Sequence, residues 1–157
     1  MHNFLKSTNP DFRWWAVRTL AEISHPDVPV YLVSALQDPD PSVQQCAALA
    51  LRQNPRNEAI PVLISLLTST DRLTARLAAD ALITTGEHAV LFLIDVLQNG
   101  DQAARIEAAR ALAMIGDTRS IPYFFKIINE NSMILDYWAN EGLNRMGVGM
   151  IFVQPSD

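Results

Sequence analysis

The sequence predicts an all-α chain, a right-handed α-solenoid (α-α superhelix) of about four and a half helical hairpins. Three observations predict it. Small residues recur at Ala16, Ala47, Ala78, Ala108 and Ala139, in steps of 31, 31, 30 and 31, and Leu20, Leu51, Leu82, Leu112 and Leu143 follow four residues later. A second pair of series keeps the same period: Leu32, Leu63, Leu93 and Phe124, then Leu36, Leu67, Leu97 and Ile128. Within each period the apolar residues fall at helical spacing, and glycine or proline separates the helices. A unit of this length cannot bury its apolar stripe alone, so copies stack and share one continuous core.

The repeats are placed at about 10–40, 41–71, 72–101 and 102–131, with a partial one at 132–147, in a single domain 1–157. Each opens with a first helix. Its stripe reads Phe12, Ala16, Thr19, Leu20, Ile23 in the first repeat and Ala104, Ala108, Ala111, Leu112, Ile115 in the fourth, one face of a 3.6-residue helix. Gly86, Gly116 and Gly147 follow that helix, where a left-handed residue ends it at low cost. His25-Pro26 and Asn54-Pro55 serve in the first two repeats. Pro29, Pro61 and Pro122 sit near the start of the second helix, where proline is tolerated. Asp38-Pro39-Asp40-Pro41 and Asn99-Gly100-Asp101 read as turns that also cap the next helix. Phe4 and Leu5 stand 31 residues before Ala35 and Leu36, so residues 1–9 read as the tail of a second helix. In the tail 148–157, Met150, Ile151, Phe152 and Val153 either fold over the last repeat with Trp138 or leave an apolar end for self-association.

Composition narrows the function classes. Apolar residues make up 49% and charged residues 18%, which is globular rather than disordered. The longest apolar runs have six residues, against about 20 for a membrane helix, so no membrane partner is expected. A single cysteine, Cys46, forms no internal disulfide, and the N-terminus lacks a signal-peptide pattern; a cytoplasmic location is expected. A net charge of −5 argues against nucleic acid. Lys126 is the one basic residue expected on a second helix, although Arg72, Arg76 and Arg105 form a candidate patch elsewhere.

The segments AARIEAARALAMIGDTRSIPYFFKII and PSVQQCAALALRQNPRNEAIPVLISLL resemble HEAT repeats, more narrowly the bacterial HEAT-like repeats of phycobilisome lyases. The resemblance spans about residues 10–147. It implies stacked hairpins whose second helices line a concave side. For function it implies either a non-catalytic protein-protein interaction scaffold or an accessory subunit of an E/F-type phycobilin lyase, attaching or detaching chromophores on phycobiliproteins. The repeat serves many roles, so it specifies fold far better than function.

Catalytic chemistry finds little to stand on. His2, His25 and His88 fall in the N-terminus and in separate loops, with no pair at metal-ligand spacing, so no metal or other cofactor is expected. Deoxyhypusine hydroxylases, which are HEAT-repeat enzymes, bind di-iron through His-Glu pairs; the nearest stretch here is Ile106-Glu107. No Gly-x-Ser-x-Gly elbow or phosphate loop occurs. Glu22, Glu58, Glu107, Glu130 and Glu141 read as solvated positions.

The candidate partner-binding residues lie on the second helices. Tyr31, Val62, Phe92 and Tyr123 each precede a core residue, which turns them about 100° from the buried stripe. Ser34, Ser65, Asp95 and Lys126 form a polar row beside them. Such a ridge either anchors a partner protein or fills the space between adjacent second helices. Trp15 shares its register with Cys46, Leu77 and Trp138, which predicts packing; Trp14 shares one with Gln45, Arg76, Ile106 and Tyr137, which predicts exposure.

Overall fold

The computed structural model describes residues 2–128 and 130–148. The apolar residues Met150 to Val153 lie outside the described residues. The elements run α1 (His2–Leu5), α2 (Pro10–Leu20), α3 (Val28–Ala35), α4 (Pro41–Gln53), α5 (Ile60–Leu66), α6 (Arg72–Thr85), α7 (Val90–Asn99), α8 (Gln102–Ile115), α9 (Ile121–Ile127) and α10 (Met133–Arg145). Short 3-10 turns precede α5, α7 and α9. No strand occurs among the described residues. By register, α2, α4, α6, α8 and α10 are first helices, and α3, α5, α7 and α9 second helices.

A fifth periodic series starts the first helices. Asn9, Asp40, Asp71, Asp101 and Ser132 are the residues just before α2, α4, α6, α8 and α10, in steps of 31, 31, 30 and 31. Each side chain accepts a hydrogen bond from a backbone N–H of the first turn, at 2.8 Å for Asn9 and Asp71, 2.9 Å for Asp40 and Asp101, and 3.4 Å for Ser132. The first four N–H groups of a helix have no internal acceptor, so one oxygen per repeat sets where the helix begins. At the other end Gly86, Gly116 and Gly147 hold φ of 69°, 69° and 76°, the left-handed conformation expected of them.

The chain forms two compact units, Met1–Thr85 and Gly86–Asp157. In the first, α2 packs on α4 and α4 on α6, while α3 lies against α4 and α5 against α6. In the second, α8 packs on α10, with α7 against α8 and α9 against α10. Alanines make the first-helix contacts close: Ala47, Ala48, Ala75, Ala78, Ala79, Ala108, Ala109 and Ala139 are all fully buried. Close-packed helices stand roughly 8–10 Å apart. The second helices supply bulk through Leu36, Leu63, Leu67, Leu93, Leu97 and Phe124, each 0–1% exposed.

The run Arg72–Asn99 is apolar enough in length and composition to suggest a membrane span. It is instead two helices, α6 and α7, separated by a 3-10 turn that opens on Gly86, with Ala78, Leu82, Leu93 and Leu97 buried.

Several sequence expectations need correction. On α2 the buried face is Ala16, Val17 and Leu20; Phe12 and Ile23 are 51% and 40% exposed. The two tryptophans are reversed: Trp15 is 62% exposed, whereas Trp14 is half-buried and lines a cavity with Cys46, Leu49 and Leu77. The reason is direction. Cys46 faces back towards α2, and so would its register-mate Trp15, but no first helix lies behind α2 among the described residues. Glu107 is not solvated. It and Arg110 are 3% and 5% exposed and pair at 3.0 Å on successive turns of α8. A buried charge is tolerable only when paired, so neither partner is replaceable alone.

Gly142 sits in the interior of α10, where alanine would normally favour the helix by up to about 1 kcal/mol. A Cβ there would lie 2.5 Å from the Phe124 ring and 3.2 Å from Ala113 Cα. Phe124 is fully buried, so the ring has nowhere to go. Gly142→Ala is therefore expected to lower stability, overpacking of about 1–3 kcal/mol outweighing the propensity gain, whereas a glycine held only by propensity would give a higher urea midpoint. Leu93→Ala in the same unit is expected to cost about 2–5 kcal/mol by the same measurement.

Candidate partner-binding surface

The second helices show one face to the core and one outward. In the first unit, Tyr31 and Val62 are half-buried while Ser34 and Ser65 are exposed. Tyr31 lines a cavity of about 250 Å³ with Leu5 and Lys6, whose segment occupies the place of a preceding second helix, and with Val30 and Ser34. Its ring is thus on the flank of α3, neither wholly core nor free surface. The Ser65 hydroxyl donates to the Val62 carbonyl at 2.7 Å, so it is engaged within its own helix.

In the second unit, Phe92 is 46% exposed, Asp95 and Lys126 are exposed, and Tyr123 is half-buried. Lys126 Nζ stands 5.0 Å from the centre of the Tyr123 ring, within cation–π range. Tyr123 and Lys126 border a shallow cavity of about 150 Å³ with Leu97 and Gln98 of α7. Arg105 closes that cavity, donating to the Leu97 carbonyl at 2.7 Å and to Glu130 at 2.6 Å. Asp95 accepts from the Asn99 amide at 2.8 Å.

A further row was missed from sequence. Val30, Pro61, Leu91 and Pro122 share one register, in steps of 31, 30 and 31, and all four are exposed, Val30 at 69% and Leu91 at 63%. They lie two residues before the core positions, which turns them about 200° and sets them opposite the buried stripe. Within each unit the centre of the second helices' outward side is therefore this register, with Ser34 and Ser65 in the first unit and Asp95 and Lys126 in the second, and the aromatic register is its flank. The period was visible; an apolar residue at a repeating position simply reads as core until the helix is placed.

Chemically this surface is apolar with a few charges. Among the described residues no group of histidine, cysteine or acidic side chains could hold a metal ion. Burial raises the Cys46 thiol above its ordinary range, which disfavours the nucleophilic thiolate. The depressed carboxylates are helix and turn caps. Asp40 is lowered first by the Ser42 hydroxyl, and Asp71 first by the Thr74 backbone N–H. Asp117 lies lowest, at about 2, because the Arg119 side chain and backbone both donate to it.

Stacked two-helix repeats with alanine-lined first helices and a half-exposed second-helix row define an α-solenoid repeat protein. The model for HEAT repeats matches residues 1–83 and 60–144, and the chain belongs to that family. It is 32% identical over 117 residues to a phycobilisome maturation protein of Synechococcus elongatus, which covers 73% of this chain and 56% of the relative. The chain thus spans little more than half the length of that relative. Among solved structures it is similar to an engineered protein, at 28% identity and TM-score 0.55 over 94% of this chain and 78% of the other. It also shares its fold with the complex of CpcE and CpcF of phycocyanin lyase from a Nostoc species, at 21% identity and TM-score 0.65 over 92% of this chain and 62% of the other.

The Asp117–Arg119 pair makes a checkable electrostatic statement. The Asp117 carboxyl is lowered in the folded state, so its contribution to stability is present above the unfolded value near 4 and is lost as pH falls towards about 2. Arg119→Gln is expected to raise the Asp117 midpoint towards the ordinary carboxylate range in an NMR titration and to flatten stability between those two pH values.

Proposed function

We propose that this chain is a non-catalytic protein-binding module that serves phycobilisome maturation, holding a partner polypeptide against its outward second-helix rows. The observation that carries the process is the 32% identity with the phycobilisome maturation protein over 117 residues. The binding mode rests on surface chemistry. Exposed Leu91, Phe92, Val30 and Phe125 offer apolar anchors beside the polar Ser34, Asp95 and Lys126, the mixture typical of an interface core and rim. The expected partner is a phycobiliprotein or a second protein that acts on one. No membrane or nucleic-acid partner enters this reading. A module of this kind needs no bound cofactor, and the cytoplasm is its proposed location.

An accessory subunit of an E/F-type phycobilin lyase is the alternative, and the fold shared with the CpcE–CpcF complex favours keeping it in view. The two readings differ in what the protein holds. A scaffold retains polypeptide alone, while a lyase-type subunit retains bilin when the chromophore is offered free.

The test is purification of the tagged chain from an extract of phycobilisome-forming cells, followed by mass spectrometry and a visible spectrum. A stoichiometric protein of the phycobilisome pathway is the expected outcome; no such protein would sink the proposal. Tyr31→Ser, Phe92→Ser and Tyr123→Ser combined are expected to abolish that capture with helicity and melting temperature nearly unchanged. Collapse of the triple variant would reassign those rings to core filling. Bilin bound to the isolated chain would bring the lyase-type reading forward.

A further inference from the structure

We propose that the first unit carries a small-molecule site on its first helices, for an aromatic acid whose flat apolar body packs against Trp14 and whose acidic group meets Arg18. The site is the cavity of about 480 Å³ between α2, α4 and α6. That volume lies within the roughly 300–1,000 Å³ of ordinary ligand pockets. No second helix contributes to its lining, so the inference is independent of the reading above. The floor is small: Cys46 and Ala50 are 5% and 3% exposed. The walls are large: Trp14 from α2, Leu49 from α4, Leu73 and Leu77 from α6. Trp15 meets Trp14 edge to face, with ring centres 5.0 Å apart and planes at 90°, which sets the orientation of the Trp14 indole.

The cavity is held open by the fold. Gln45 of α4 reaches α6, its amide 3.1 Å from Asp71 Oδ1 and 3.2 Å from Thr74 Oγ1. Two turns further along α4, Arg52 stands 3.8 Å from Asp80 of α6. These two ties fix the distance between the helices before any ligand arrives, which lowers the ordering cost of binding.

Repeat packing does not ask for the exposed leucines. In the other repeats the register of Leu49 holds Arg18, Asp80, Arg110 and Glu141, all charged. The register of Leu73 holds Asp11 and Ser42 in the two repeats before it, Ala103 and Ile134 in those after. Leu49 is 40% and Leu73 54% exposed, so neither is spent on the core. Leucine in place of a charge, beside a half-buried tryptophan and over a small floor, gives this stretch of the first helices an apolar pocket. Apolar surface gathered in this way marks an interaction site. Among the lining residues Arg18 alone is charged. Glu22 takes one N–H of its guanidinium, which carries five, and the others can reach an anionic group at the edge of the pocket.

Fluorescence titration of the full chain with anilinonaphthalene sulfonate tests this, beside the neutral N-phenylnaphthylamine, which has the same rings without the acid. Both are expected to bind saturably at one site, the sulfonate about threefold tighter through its exposed contact with Arg18. Leu49→Arg and Leu73→Ser install residues that the same registers already carry in other repeats, so the fold is expected to keep its helicity while each weakens both probes by about tenfold. Arg18→Gln is expected to remove the preference for the sulfonate and leave the neutral probe unchanged. Methyl NMR shifts on the wild-type chain locate the probe without any variant, and Leu49, Leu73 and Leu77 are expected to move. Absence of saturable one-site binding, or shifts confined to the second helices, overturns the proposal. A sulfonate preference that survives Arg18→Gln overturns the assignment of the acidic end.

Discussion

The packing of one alanine-rich first helix against the next is the contact on which the rest of this structure depends. A helix whose stripe is Ala47, Ala48, Ala50 and Leu51 buries little area against its own hairpin partner. It becomes stable when a second helix of the same kind lies alongside, because small side chains bring the backbones close and multiply dispersion contacts. Alanine also has the highest helix propensity, so the residue that permits close approach also favours the helix. Gly142 extends the same logic where Phe124 needs still more room.

That demand explains the division of labour between the helices. The leucines of α3, α5 and α7, with Phe124 and Ile127 of α9, plug the grooves left by the alanines, and each second helix lies against the next first helix. One face of each second helix is thereby consumed. The opposite face, with Val30, Pro61, Leu91 and Pro122, is left exposed. The caps make the spacing regular: with Asn9, Asp40, Asp71, Asp101 and Ser132 beginning each first helix, every repeat starts in the same phase. Regular phase is what gives side chains from successive repeats within each unit a common outward direction.

The sequence by itself determined the period and many of the core positions, because these follow from local spacing: Leu63, Leu93, Ala78 and Ala108 are buried where their registers placed them. It also determined the three left-handed glycines, since only glycine enters that conformation without strain. The candidate site was legible only in part. The aromatic register was visible, yet whether Tyr31 and Tyr123 face a partner or a neighbouring helix depends on where that helix lies. The tertiary structure decided the exposure of Trp15, the burial of Glu107 with Arg110, and the outward row through Val30 and Leu91. Each of these depends on a neighbour distant in sequence or on its absence. A register predicts which residues share a face; only the packed chain decides what covers that face.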